Sequence, residues 1–294
     1  MMKKDIESYI KIYNVLNKKL NEPINKGLLD TVKLSNEVCL TLAKIYKRGF
    51  KVNKETLEKV KEEFNTERKE LIQELQSYVR NLMGDTPINL NSPEQLSWVI
   101  YSRKPYDKTD WQNSYNPYMK ENTFKDIVNK KTQIVYKTKA RQCPTCKGHG
   151  KYRKTKKDGT PFVNDTKCPT CDATGFLFDK TDEVAGLKFK APNAKWASAN
   201  GFSTSKQNLE LLETSARAKG MDDAVDFLYK VRRLSAVETY LSSFVEGIVT
   251  HTKQDGKLHV RLLQHRTATG RFSGADPNMQ NMPRGGTFPV KKVF

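Results

Sequence analysis

Two pairs of cysteines in this chain have the spacing of a metal site. Cys143 and Cys146 form one Cys-x-x-Cys pair, and Cys168 and Cys171 form a second pair after 21 intervening residues. Four thiolates suit a tetrahedral zinc ion, and disulfides are rare in reducing compartments. A redox-active pair is the alternative, but two such pairs together favour structural zinc. We therefore expect these four cysteines to be zinc ligands, with Cys39 standing apart.

Glycines follow each cysteine pair and would permit tight turns that aim backbone amides at sulfur. Gly148 and Gly150 follow the first pair and Gly175 follows the second. The pattern resembles the cysteine-rich repeats of J-proteins, although the second copy lacks its first glycine and the chain has no His-Pro-Asp motif. Residues 137–157 hold nine Lys or Arg and no acid. The module either contacts DNA or only stabilises an insertion too polar to build its own core.

A second group of donor-rich residues lies near the C-terminus. The segment Thr267–Arg271 is followed seven residues later by Asn278–Pro283. Purine N3 and pyrimidine O2 acceptors in the minor groove are common to all base pairs, so arginine or amide donors can hold any correctly shaped pair. We expect this segment to grip a duplex end without reading its sequence. Lys291 and Lys292 would add phosphate contacts.

These two segments resemble the signature of family A (polymerase I-like) DNA polymerases, T-A-T-G-R-L-S-S followed by D-P-N-L-Q-N-I-P. Three earlier segments resemble thumb motifs of the same family: Ile88–Leu96, Gly201–Ser205 and Tyr229–Leu241. The resemblance covers roughly residues 30–102 and 201–294. It implies that Arg271 bonds the minor groove at the primer terminus and that the asparagines contact template or primer.

The expected DNA-binding set combines these implications with the chemistry of the side chains. His259 and Gln264 align with a His and a Gln in the strand before the family motif. Arg284 follows Pro283 directly, whereas the family usually has one residue between them. The full set is Arg271, Thr269, Ser273, Asn278, Gln280, Asn281, Gln264, His259, Arg284, Lys291 and Lys292.

The sequence carries no recognisable catalytic set. It has no phosphate-binding loop, no Gly-x-Ser-x-Gly and no Asp-x-Asp cluster of the kind that two-metal chemistry requires. In the family, the first catalytic aspartate comes shortly after this point. We therefore expect the N-terminal part of a split or truncated DNA polymerase, of phage-like character and inactive alone. Mg²⁺-dependent nucleotidyl transfer would come from a C-terminal polypeptide. A stand-alone zinc-ribbon protein that binds nucleic acid without catalysis is the alternative.

Composition agrees with a polyanionic partner. The net charge is +19 and the isoelectric point is near 9.6, a balance that attracts nucleic acid. The sequence has no apolar run long enough to span a membrane and no signal peptide, which predicts a cytoplasmic protein, in the host cytoplasm if viral.

Apolar periodicity predicts the elements that position these residues. Helices are expected over about 5–20, 28–48, 54–83, 206–219 and 222–248, with Asn53 and Ser92 as N-caps and Gln95 completing a capping box. Val249–Thr252 and Lys257–Leu263 alternate around Asp255-Gly256, which predicts a β-hairpin.

The predicted fold class is α+β, mainly α, with long thumb helices, a small antiparallel hairpin at the start of the palm and an inserted zinc ribbon. Four regions follow from the changes in composition. Residues 1–102 are a helical lead-in with the first thumb helices, and residues 103–200 are a basic insertion with the zinc module at about 140–178. Residues 201–250 hold the remaining thumb helices, and residues 251–294 hold the first palm strands with the DNA-binding motif.

Overall fold

The computed structural model describes residues 2–115, 121–157, 159–198, 200–267, 269–282 and 288–294. Helices dominate, and the strands are short and paired antiparallel, in agreement with an α+β, mainly α fold. The helices are α1 Met2–Leu20, α2 Lys26–Arg48, α3 Lys54–Met83, α4 Pro93–Tyr101, α5 Lys108–Ser114, α6 Glu121–Lys131, α7 Lys206–Ala218, α8 Asp222–Thr239 and α9 Glu246–His251.

The strands form two-stranded sheets. The strands are β1 Phe50–Lys51, β2 Arg103–Pro105, β3 Thr132–Ile134, β4 Tyr136–Gln142, β5 Lys151–Tyr152, β6 Thr166–Lys167, β7 Phe176–Val184, β8 Ala197–Ser198, β9 Gly201–Phe202, β10 Lys257–Leu258, β11 Arg261–Leu263 and β12 Ser273–Ala275. The pairs are β1 with β10, β2 with β3, β4 with β7, β5 with β6, β8 with β9, and β11 with β12. Within the part of the chain that the structure describes, no helix is long and apolar enough to cross a bilayer.

The chain divides into two compact units. The first unit comprises Met1–Asn65 and Glu238–Phe294, and the second comprises Thr66–Val237. The chain passes between the units twice within continuous helical structure, once along α3 and once at the end of α8.

The first unit buries the start of α3 against the C-terminal turn. The Phe64 and Phe288 rings lie 4.7 Å apart, and the Asn53 amide donates to the Val293 carbonyl at 2.7 Å. β1 pairs with β10 beside this core, with Phe50 opposite Leu258. The buried apolar side chains of the unit are Val52, Leu57, Val60, Phe64, Val245, Ile248, Leu258, Val260, Phe288, Val290 and Val293.

The second unit packs the rest of α3 against α8. The Tyr78 and Phe227 rings stack with centroids 5.2 Å apart, and Arg233 donates two hydrogen bonds to the Glu67 carboxylate at 2.5 and 2.9 Å. Because this pair is only partly exposed and bidentate, it fixes the two helices more firmly than a surface ion pair does.

The predicted Asn53 cap is confirmed, and a glycine ends α7. The Asn53 side-chain oxygen accepts the Thr56 amide at 3.1 Å and so caps α3, which spans Lys54–Met83 as predicted. Gly220 ends α7 with φ 68°, and its amide donates to Arg217 while the Met221 amide donates to Ala216. That double hydrogen bond is the Schellman arrangement, in which a left-handed glycine terminates a helix.

Two local predictions are confirmed only in part. The hairpin around Asp255-Gly256 is reduced to a turn closed by one antiparallel bridge between Thr252 and Leu258, because Val249–His251 continue α9 and β10 pairs with the distant β1. A π-helical turn at Tyr240–Val245 carries the helix through this region. The predicted capping box also forms only in one direction: Ser92 accepts the Gln95 amide at 3.4 Å, but the Gln95 side chain accepts the Asn89 amide at 2.7 Å.

Candidate metal centre and nucleic-acid interface

The four cysteine sulfurs lie at the corners of a small tetrahedron. All four Sγ atoms are within 4.8 Å of one another, and all four residues are buried. The Cys143 and Cys168 sulfurs are 3.9 Å apart, and the Cys146 and Cys171 sulfurs are 3.6 Å apart. Zinc–sulfur bonds of about 2.3 Å place sulfurs about 3.8 Å apart at the edges of a tetrahedron. The residues present therefore fit a zinc ion.

The two cysteine loops are built alike and hold each other. The Gly150 amide donates to Cys146 Sγ and the Gly175 amide donates to Cys171 Sγ, each at 3.3 Å. The Cys143 amide donates to the Gly175 carbonyl and the Cys168 amide donates to the Gly150 carbonyl, each at 2.9 Å. Each loop therefore completes the other, and amide donors stabilise the negative charge of the thiolates.

Glycine is required at both positions because the loops approach closely. A Cβ atom on Gly150 would lie 2.3 Å from the Ala173 carbonyl oxygen, and one on Gly175 would lie 2.3 Å from the Gly148 carbonyl oxygen. Both glycines also have positive φ. The glycines singled out in the sequence thus act through close backbone contact.

The protein environment favours some thiolates over others. Burial opposes ionisation of Cys143, but the Cys146 and Thr145 amides outweigh it and lower its pKa to about 6. Burial raises the pKa of Cys171 to about 11, and the neighbouring thiols add to the increase. A divalent cation among the sulfurs would stabilise all four thiolates, because it supplies the positive charge that the cluster itself lacks.

The cysteine module is fastened to the end of α3. The Asp85 amide donates to the Thr138 carbonyl at 3.0 Å, and the Asp85 carboxylate accepts the Ala140 amide at 2.9 Å. A Cβ on Gly84 would lie 2.2 Å from the Thr138 oxygen. Gly84 and Asp85 directly follow α3, and their partners Thr138 and Ala140 lie more than fifty residues further along the chain.

The C-terminal loop presents Arg271 on its surface. The Thr267 hydroxyl donates to the Arg271 carbonyl at 2.5 Å, and Gly270 turns the chain with φ 73°. Thr269 and Arg271 are exposed. Within the described residues, the Arg271 guanidinium makes no hydrogen bond or ion pair.

Two further members of the predicted set shape the loop from inside. Gln280 accepts the Gly274 amide at 3.0 Å through its side-chain oxygen, and Asn278 accepts the Gln280 amide at 3.2 Å. Both side chains use oxygen for these contacts, and their NH₂ groups have no partner in the described parts of the chain. Asn281 is exposed, and Ser273 is half-buried opposite Leu263 in the β11–β12 pair.

His259 and Gln264 are engaged by α2. One ring nitrogen of His259 lies 2.5 Å from the Tyr46 carbonyl oxygen and the other lies 3.1 Å from the Asp255 carboxylate. The Gln264 amide donates to the Ser35 carbonyl at 3.0 Å and contacts Cys39 Sγ at 2.7 Å. The structure thus places both side chains in contacts with other parts of the protein.

Lys291 and Lys292 lie on the C-terminal 3₁₀ turn Pro289–Val293. Both are exposed, while Val290 and Val293 in the same turn are fully buried and anchor it. Arg284 lies outside the described residues.

Residues 170–294 match the family model for DNA polymerase family A. DNA polymerase I of Lactococcus lactis subsp. cremoris is 33% identical over 107 residues, which are 36% of this chain and 10% of that protein. DNA polymerase I of Bacillus subtilis is 37% identical over 84 residues, which are 28% of this chain and 8% of that protein. The matches therefore span about a tenth of these curated relatives.

A solved structure extends the likeness to nearly the whole chain. It is the POL domain of Pol1 from M. smegmatis in complex with DNA primer-template and dNTP, with a TM-score of 0.50 and 18% identity. The alignment covers 97% of this chain and 32% of the other. At this identity the likeness concerns the fold alone.

Proposed function

We propose that this chain holds primer–template DNA for a polymerase, from the premise that residues 170–294 match the model of DNA polymerase family A. Its C-terminal loop is the gripping element, and Arg271 is its central contact. The residues that catalyse nucleotidyl transfer are not those of the C-terminal loop or the cysteine module. The cysteine module carries a structural zinc ion.

The observation that carries this proposal is the exposed, unpartnered guanidinium of Arg271 among the described residues, on a loop with its own internal support. Thr267 fixes the backbone at Arg271, and Gln280 and Asn278 fix the turn beside it. A donor held in this way can reach acceptors that every base pair shares in the minor groove. The grip therefore responds to the shape of the pair and not to its sequence.

Charge supports the same partner. The chain has a net charge of +19, and Lys291 and Lys292 are exposed close to the end of the sequence. Each lysine–phosphate contact releases counterions, so binding should weaken as salt rises. Thr269, Ser273 and Asn281 complete the proposed DNA-facing set, and we also retain Arg284 in it.

Structural zinc would be held by Cys143, Cys146, Cys168 and Cys171. The ion would cross-link the two cysteine loops. Their own core is small, because it consists of the four cysteines with partly buried Tyr152 and Leu177 packed against them. A bound ion of this kind contributes directly to folding.

The carboxylates for Mg²⁺ are proposed to come from a partner polypeptide. Across the described ranges, the cysteine cluster is the one group of three or more potential metal ligands whose atoms converge. Two-metal phosphoryl transfer needs converging carboxylates instead. We propose that a polypeptide carrying the rest of a family A palm associates with this chain and supplies them.

The experiment mixes this chain with a polypeptide that carries the family A palm carboxylates and measures extension of a primer with Mg²⁺ and dNTPs. Extension is expected from the mixture and from neither part alone, and Arg271→Ala should reduce it strongly. Arg48→Ala, an exposed arginine of α2, is the control for lost charge. Tight binding of recessed-end DNA without extension from the mixture would favour a DNA-binding protein without catalysis.

A further inference from the structure

The hairpin between the two cysteine pairs carries charges that its fold does not use. We call residues 151–167 the basic hairpin. Lys151 of β5 lies directly opposite Lys167 of β6. Like charges directly opposite one another destabilise a strand pair. The described ion pairs of this region involve Lys137, Arg141 and Arg153, so Lys151 and Lys167 have no carboxylate partner among the described residues.

The tip of the basic hairpin adds three more exposed lysines and an exposed ring. Lys154, Lys156 and Lys157 are exposed and have no carboxylate partner within the described chain. Phe162 is 47% exposed, and the Lys156 ammonium lies 5.9 Å from the centre of its ring. An exposed apolar ring beside a lysine suits a partner that has both phosphates and aromatic bases.

Backbone hydrogen bonds hold this tip in one shape. The Phe162 amide donates to the Lys154 carbonyl at 2.8 Å, and the Lys156 amide donates to the Thr160 carbonyl at 2.7 Å. At the other end of the basic hairpin, Tyr152 packs against the cysteines and the Cys168 amide donates to the Gly150 carbonyl. The ring and lysines are thus presented on a support fixed to the metal centre.

We propose that the basic hairpin binds single-stranded DNA, with Phe162 stacking on a base and Lys154, Lys156 and Lys157 contacting phosphates. A positively charged surface with an exposed aromatic ring is the usual combination for unpaired strands, because bases in a duplex do not offer their faces. The proposal rests on the proposed function, in which the natural strand is the unpaired template beyond the primer end.

The test measures binding of the zinc-loaded full chain to three probes by fluorescence anisotropy. The probes are a blunt duplex, the same duplex with a fifteen-thymidine 5′ overhang and the same duplex with a uridine RNA overhang. The variants are the triple change Lys154→Ala, Lys156→Ala and Lys157→Ala, and separately Phe162→Ala and Phe162→Trp. A triple change at Lys11, Lys18 and Lys19, all exposed on α1, removes the same charge elsewhere.

The wild-type chain should bind the thymidine overhang about tenfold more tightly than the blunt duplex, and Phe162→Ala should remove most of that gain while Phe162→Trp keeps it. The triple lysine variant should lower the salt dependence for the overhang by about two units of slope. Blunt-duplex affinity should stay at the wild-type value in these variants. The affinity for the blunt duplex is expected to depend on the C-terminal loop. Measuring it therefore tests the proposed function separately from the basic hairpin.

Three results would overturn the proposal. One is equal behaviour of the Lys154, Lys156, Lys157 variant and the α1 control on the overhang probe. Another is an equal loss on blunt and overhang duplexes. The third is a clear preference for the uridine overhang, which would make RNA the partner. Zinc content and circular dichroism of each variant confirm that it is folded before its affinity is compared.

Discussion

Ala173 occupies the same position in the second cysteine loop as Gly148 does in the first. Each lies two residues after the second cysteine of its pair, and both are left-handed, with φ 65° at Ala173 and φ 86° at Gly148. A side chain is disfavoured in this conformation. The second loop therefore carries backbone strain that the first loop avoids.

Ala173→Gly should stabilise the zinc-loaded protein by about 1 kcal/mol, because glycine adopts positive φ without the Cβ clash. Slower loss of zinc to a competing chelator and a higher denaturant midpoint would both show this. Gly148→Ala is the mirror control and should destabilise, since φ is 86° at Gly148 and the Gln142 side chain, 2.7 Å from an added Cβ, would also have to move. If Ala173→Gly does not raise the stability and Gly148→Ala does not lower it, the second loop is not strained at Ala173.

Cys143→Ser should abolish stoichiometric zinc. The purified chain is expected to hold one zinc per molecule, because four thiolates complete a tetrahedral shell. Metal analysis after exhaustive dialysis measures this, and Cys39→Ser is the matched control because Cys39 is exposed and outside the cluster. A fully folded wild-type protein without zinc would refute the metal centre.

The Asp85 carboxyl should titrate below its ordinary pKa of 3.8. The Ala140 amide is the main cause, burial opposes it, and Arg80 lowers the pKa further. Because the folded pKa is depressed, the stability that this contact gives is complete above the unfolded pKa and is lost as pH falls through the folded value. Carboxyl chemical shifts from NMR titration measure it, and a pKa at or above 3.8 would show that the Ala140 contact does not form.

His259→Ala should weaken folding more than DNA binding. The imidazole bridges Tyr46 and Asp255, and a loss of two hydrogen bonds costs about 1–3 kcal/mol. Urea unfolding and anisotropy with recessed-end DNA would separate the two effects, and Arg271→Ala should show the opposite pattern. A large loss of DNA affinity with an unchanged unfolding midpoint would instead show that His259 contacts DNA.

Features set by neighbouring residues could be predicted from the sequence. The length of α3 and its Asn53 cap follow from apolar spacing and one side chain, and both are confirmed. The cysteine cluster follows from two short spacings, and its sulfurs do converge. The cap depends on residues close together in the sequence, and the metal cluster depends on cysteine, a residue type with few other roles.

Features set by distant partners could not be predicted. Alternation at Val249–Thr252 resembles a strand, but the helix continues through a π turn and β10 pairs with Phe50–Lys51. Gln264 aligns with a residue of a family motif, yet its amide reaches Ser35 in α2. Nothing in the local pattern records that α2 lies beside this segment.

The most direct test of the DNA grip removes one acceptor from the DNA and one donor from the protein. Recessed-end duplexes are prepared with adenine or 3-deazaadenine at the primer terminus, which differ at the N3 acceptor in the minor groove. Their affinities are measured for the wild-type chain and for Arg271→Ala, with Arg48→Ala as the charge control.

The wild type and Arg48→Ala should lose about ten- to a hundredfold in affinity with 3-deazaadenine, since hydrogen bonds to charged groups contribute about 1.5–3 kcal/mol. Arg271→Ala should bind both duplexes equally, because the donor that senses N3 is gone. An equal loss for wild type and Arg271→Ala, or no loss for either, would contradict a minor-groove grip by Arg271.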